Sequence, residues 1–192
     1  MLYPKTNAYR DVYDLNGIWN FKLVEEDYIP TTAADDTSFM AVPASYNDIT
    51  TDKRVRDHVG KVLYERYFSV PVREGSLYRL RVGATSHKCE LFLNGNKIGE
   101  SPNGFLPIDL PLENLREKNR LSIVIDNRLT FQTFPIGKVE NGRQISQHDF
   151  YNFTGIHRDV LVYALPEKYI EDIEIRTVVD GDYSKISVLV KT

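Results

Sequence analysis

The residues best suited to chemistry crowd into one stretch, His148-Asp149-Phe150-Tyr151-Asn152-Phe153-Thr154-Gly155-Ile156-His157-Arg158. An ionised carboxylate at Asp149 can accept hydrogen bonds from hydroxyls and orient a hydroxylated ring without taking part in bond cleavage. Local chemistry alone offers a plainer role, since an Asp ahead of an aromatic run readily caps a turn. Phe150, Tyr151 and Phe153 could stack on a ligand, but large rings more often anchor one protein surface against another. Arg158, with its planar fork, suits a backbone carbonyl or a carboxylate better than a ligand. His148 and His157 stand nine positions apart with no suitable partners, so no metal site is expected, and nothing calls for a cofactor. Asn152-Phe153-Thr154 matches a glycosylation sequon, read here as a chance match.

Outside that stretch the chemical inventory is thin. Cys89 is the single cysteine and falls at an apolar position of an alternating pattern, where a buried, inert thiol is the default. It can form no intramolecular disulfide, and no Cys/His spacing fits structural zinc. Asn127 and Arg128 close a strand-like run, with turn chemistry as their expected role.

The elements that must carry these residues repeat every two positions far more often than every 3.6, the signature of strands. Trp19, Phe21 and Leu23 share one face, as do Tyr64, Phe68 and Val70, and Tyr78, Leu80 and Val82. Leu91 and Leu93 lead into Asn94-Gly95, a dipeptide suited to the positive φ angles of a tight hairpin, and Ile98 resumes the return strand. Leu121, Ile123 and Ile125, then Val160 and Val162, complete the set. Each is expected to be a strand with one buried face. Only Pro111 to Lys118 could hold a short helix, with Leu112 and Leu115 inward, so the class is all-β. After Pro166, Ile173 and Ile175, then Ile186, Val188 and Val190, read as two strands joined near Asp180-Gly181-Asp182. Two strands cannot make a core of their own. Residues 1–166 are therefore expected to form one domain, and residues 167–192 to open a second, incomplete one.

A chain of 192 residues can hold one sizeable core, because domains near 150 residues bury roughly 70% of the surface of their unfolded chains. A net charge of −3, from 24 basic and 27 acidic residues without long single-sign blocks, gives no reason to expect nucleic acid or a membrane as a partner. Met1 to Asp11 lacks the apolar region of a signal peptide, and no stretch approaches the ~20 apolar residues of a membrane span. A soluble protein of the cytoplasm is the expectation.

Several segments, in order, resemble the N-terminal domain of family 2 glycoside hydrolases. They are Leu15-Asn16-Gly17-Ile18-Trp19-Asn20-Phe21, Val42-Pro43-Ala44-Ser45-Tyr46-Asn47-Asp48, Gly60 to Pro71, Leu93-Asn94-Gly95, Asn103-Gly104-Phe105-Leu106-Pro107, and Gly155 to Val160. The His148 to Arg158 stretch and Phe131 to Gly137 resemble the bacterial β-glucuronidase branch; β-galactosidases more often carry Met-Trp-Arg before Gly-Ile. The resemblance implies a jelly-roll β-sandwich like galactose-binding domains, followed by the start of an immunoglobulin-like sandwich. It also implies that Asp149 reaches into the active site of a larger, homo-oligomeric enzyme and hydrogen-bonds a glucuronide. It places the acid/base and nucleophile of retaining hydrolysis on a barrel outside these residues, and no Asn-Glu pair of the kind that precedes the family's acid/base occurs here. The expected catalytic residues of this stretch are therefore none. A free-standing carbohydrate-binding module and the same domain of a β-galactosidase are the alternatives.

Overall fold

The computed structural model describes residues 3–192. The first elements are strands β1 (Asp11–Asp14), β2 (Gly17–Val24) and β3 (Ser38–Val42), then single helical turns α1 (Tyr46–Ile49) and α2 (Lys53–Arg56). Next come β4 (Lys61–Phe68), β5 (Ser76–Val82), β6 (Thr85–Ser86), β7 (Lys88–Leu93), β8 (Asn96–Ser101), β9 (Ile108–Leu112) and β10 (Asn119–Asp126). The chain finishes with β11 (Gly137–Glu140), β12 (Arg143–Ser146), β13 (Gly155–Ile156), β14 (Val160–Pro166), β15 (Asp172–Asp180) and β16 (Tyr183–Lys191).

Two antiparallel sheets make the expected all-β jelly-roll sandwich, one of four strands ordered β1-β14-β5-β9 and one of six ordered β3-β2-β4-β10-β7-β8. The alternation in the sequence becomes cross-strand rows. In the six-stranded sheet Phe21, Tyr64, Ile123 and Leu91 lie in register, and in the facing sheet Leu80 sits between Val162 and Leu110. Both rows turn into one core with Trp19, Val82 and Ile125. All ten alternating positions Trp19, Phe21, Tyr64, Phe68, Leu80, Leu91, Leu93, Ile123, Ile125 and Val162 are buried, as is Cys89. Asn94 and Gly95, at φ 52° and 88°, form the two-residue turn joining β7 to β8.

Two expectations are corrected. The first is that each strand has one buried face: β4 and β10 are covered on both sides. Leu63, Phe92 and Val124 point away from the main core and pack under Val24, Tyr28 and Ala34, brought over by residues 25–37. Glu65 is buried there too, paired with Arg120 at 2.8 Å and accepting from Ser122 Oγ at 3.0 Å. Arg120 also donates to the carbonyls of Pro30, Thr31 and Thr32, so one guanidinium fastens the covering segment to the sheet. The second correction is Pro111 to Lys118, which holds no helix. Pro111 and Leu112 end β9, and the Asn119 side chain accepts from Arg116 N–H at 2.9 Å and donates to Arg116 O at 2.8 Å, closing a turn instead. Leu112 and Leu115 still face inward. The helical turns fall at Tyr46 and Lys53, the second started by Asp52, whose side chain accepts from Arg54 N–H at 2.9 Å.

Among the described residues β15 and β16 pair only with each other, in a hairpin turned at Gly181. Ile173, Ile175, Ile186, Val188 and Val190 are all exposed on it. Among the described residues no helix is long and apolar enough to cross a membrane.

Candidate functional site

The residues singled out near 148–158 lie on a segment reached through a second hairpin. β11 and β12 pair from Gly137↔Ser146 to Glu140↔Arg143 around Asn141-Gly142, whose φ angles of 51° and 71° suit that turn. Asn141-Gly142 is the same turn signal as Asn94-Gly95. Beyond β12 the chain is tied down again, with Gln147 N–H donating to Ile136 O at 2.9 Å. Ser146 Oγ accepts from His148 N–H at 3.1 Å and donates to His148 O at 2.8 Å. Ser146, not Asp149, therefore closes this turn.

Asp149 is exposed, and among the described residues its carboxylate has no hydrogen-bond or ion-pair partner. Phe150 beside it is exposed and leans on Phe134, with ring centroids 5.8 Å apart. Phe134 in turn meets Phe105 at 6.2 Å, and Phe105 lies against the imidazoles of His157 at 4.9 Å and His87 at 6.5 Å. The stretches 103–107, 131–137 and 148–158, far apart in sequence, thus meet in one aromatic cluster. Tyr151 and Phe153 form a separate edge-to-face pair at 4.8 Å, both rings partly in solvent. Arg158 donates to Phe105 O at 3.1 Å, the backbone role its fork suggested.

Polar side chains fix the far end of the segment. Asn47 Nδ2 donates to Asn152 O at 2.7 Å, while its Oδ1 accepts from Ser45 Oγ at 2.7 Å and Thr154 N–H at 3.1 Å. Tyr46 N–H reaches Thr154 O at 3.0 Å, and Ala44 N–H reaches Ile156 O at 2.8 Å. Gly155–Ile156 then pairs with Thr85–Ser86. Gly155 has φ 113°, and a Cβ there would stand 2.6 Å from Tyr64 Oη, so both backbone conformation and space demand glycine.

Beneath this lies a residue whose role the sequence reading understated. Asn127 is buried, and its Nδ2 donates to Tyr46 Oη at 2.6 Å and to His58 O at 2.7 Å while its Oδ1 accepts from Gly60 N–H at 2.9 Å. It joins the start of β4 to α1 and so supports the Asn47 platform; turn chemistry is the smaller part of its role. Arg128 pairs with Asp126 and Glu26 at the surface.

Burial sets the electrostatics. Desolvation lowers the pKa of His87 and of His157 below the ordinary imidazole value, so both rings favour the neutral form. Desolvation also pushes the Tyr46 hydroxyl up to about 12 and the Cys89 thiol up to about 11. Asp126 is held below the usual carboxylate range despite its burial, chiefly by hydrogen bonds from the Arg128 side chain and backbone.

The Asp149 segment thus runs beside an aromatic cluster on a jelly-roll sandwich. Residues 12–166 match the family described as glycosyl hydrolases family 2, sugar binding domain, and the chain belongs to it. A relative from Paenibacillus borealis named beta-glucuronidase is 36% identical over 95% of this chain and 34% of its own length. The human protein of that name is 32% identical over 95% of this chain and 33% of its own. Among solved structures, a beta-glucuronidase of an uncultured Clostridium sp. matches with a TM-score of 0.90 and 40% identity, covering all of this chain and 35% of that one. The beta-D-glucuronidase of Dictyoglomus thermophilum gives 0.84 and 34%, again over all of this chain and 34% of its own. The chain spans about a third of the length of the relatives it matches.

Proposed function

We propose that this chain is the N-terminal, non-catalytic sandwich of a retaining β-glucuronidase and lends the Asp149 segment to that enzyme's active site. Asp149 carries the proposal: an exposed carboxylate with no partner among the described residues, on a segment tied at both ends, leaves its acceptor sites open for substrate hydroxyls. Its role is to hold the glucuronide ring while two other carboxyl groups, about 5–5.5 Å apart, perform the double displacement. Those groups belong to the part of the relatives' length that lies outside this alignment. Phe150 and Phe134 are partly in solvent and form the apolar surface that seats the sandwich against that part.

Residues 167–192 are, in the same reading, the opening strands of an immunoglobulin-like sandwich. The exposure of Ile175, Val188 and Val190 supports this, since such residues gain by being covered. The test is hydrolysis of an aryl β-glucuronide. The 192 residues alone should release no product and bind glucuronic acid weakly, whereas the chain joined to the remaining length seen in its relatives should turn the substrate over. Micromolar binding of a monosaccharide by the chain alone would favour a free-standing binding module.

A further inference from the structure

Among the described residues none bonds the Asp149 carboxylate, and Phe150 is mostly in solvent, so whatever aims the carboxylate acts through its neighbours. On the N-terminal side Gln147 and the Ser146 turn fix the backbone. On the C-terminal side Tyr151 Oη donates to Asn47 O at 3.2 Å, and the residue held by both its side chain and its backbone is Asn152, three residues on from Asp149. The Asn152 side-chain Oδ1 lies 2.7 Å from His87 Nε2, its Nδ2 donates to Asn127 O at 3.5 Å, and its backbone oxygen accepts from Asn47 Nδ2 at 2.7 Å.

His87 is built for this contact. Its ring is buried, its Nδ1 has no partner among the described residues, and because Asn152 Oδ1 can only accept, Nε2 is the protonated nitrogen that donates to it. The chain closes over the other side of the ring, because a Cβ at Gly104 would lie 3.4 Å from Nδ1 and 3.0 Å from Thr85 O. We infer that His87 and Asn47, gripping Asn152, are positioning residues that set where Asp149 meets its ligand. This rests on the proposed role of Asp149. A carboxylate held by a short span anchored at both ends keeps its geometry, and one anchored at a single end samples many.

The experiment uses the full-length enzyme and 4-nitrophenyl β-glucuronide. Asn152→Ala, at a half-buried position that need not unfold the sandwich, should raise KM about 5- to 30-fold with kcat within about twofold, as loss of uniform binding requires. His87→Leu should do the same. His87→Gln, which can still donate to Asn152, should recover KM to within about threefold of the parent. In the 192-residue chain, Asn152→Ala should speed amide exchange across residues 149–151 and leave β4 and β10 protected. Unchanged KM in Asn152→Ala, beside a raised KM in Asp149→Ala, would overturn the positioning role alone. Unchanged kinetics in Asp149→Ala would refute the binding role itself. A lowered unfolding midpoint with normal KM would make His87 and Asn152 merely structural.

Discussion

Asn127→Ala offers the sharpest check on how the sandwich supports its site. The substitution removes three side-chain hydrogen bonds, to Tyr46 Oη, His58 O and Gly60 N–H, at 2.6, 2.7 and 2.9 Å. Each is worth about 1 kcal/mol net, and the buried partners left behind add to the cost unless water enters, so stability should fall by about 2–4 kcal/mol. Urea unfolding followed by the fluorescence of Trp19, the single tryptophan and fully buried, should show a midpoint lowered by about 1–2 M. Asn127→Asp refines the test. The carboxylate keeps an acceptor for Gly60 N–H but sets an oxygen against His58 O, so its folded pKa should lie above the unfolded value near 3.9. The variant should therefore be closest to the parent below about pH 4 and lose ground as pH rises through the raised folded pKa. A loss below about 1 kcal/mol in the alanine variant, or a deficit in the aspartate variant that ignores pH, would refute the reasoning.

Three further outcomes are expected. His87 and His157 have pKa values lowered by burial from 6.5, so the unfolded chain binds more protons than the folded one; stability should fall as pH drops from about 6.5 through the lowered values, and a flat urea midpoint from pH 7 to 5 would contradict this. Arg120→Met strands the buried Glu65 carboxylate and should cost about 3–5 kcal/mol in a urea titration, whereas Arg120→Met combined with Glu65→Leu should recover much of it. Cys89, with its thiol pushed up to about 11 and buried, should react with a thiol reagent at pH 8 only at the rate of unfolding; a fast native reaction would show that the edge strand β8 opens away from β7.

The parts legible in the sequence are those written in short-range pattern. Trp19 and Phe21, Leu91 and Leu93, and Ile123 and Ile125 alternate because one face of each strand meets the facing sheet. Asn94-Gly95 marks its hairpin through the φ angles it tolerates. Burial of Glu65 and Arg120 was hidden because their cover, residues 25–37, has no periodicity and lies far away along the chain. Pro111 to Lys118 looked helical because Leu112 and Leu115 are three apart, but the Asn119 side chain gives that backbone another set of hydrogen bonds. The reach of Asn127 to α1 and of His87 to Asn152 depends on tertiary placement alone. Asp149 could be read as a ligand contact only through family resemblance, since its local setting suggested a turn cap, a task the structure gives to Ser146.

The central claim is that Asp149 holds a glucuronide, and kcat/KM of Asp149→Ala in the full-length enzyme tests it most directly. Losing a hydrogen bond to a charged acceptor should lower kcat/KM for an aryl β-glucuronide about 10–150-fold. The unfolding midpoint should stay at the parent value, because the exposed carboxylate has no partner among the described residues to lose. Unchanged kcat/KM, or a loss of stability with activity intact, would contradict the account.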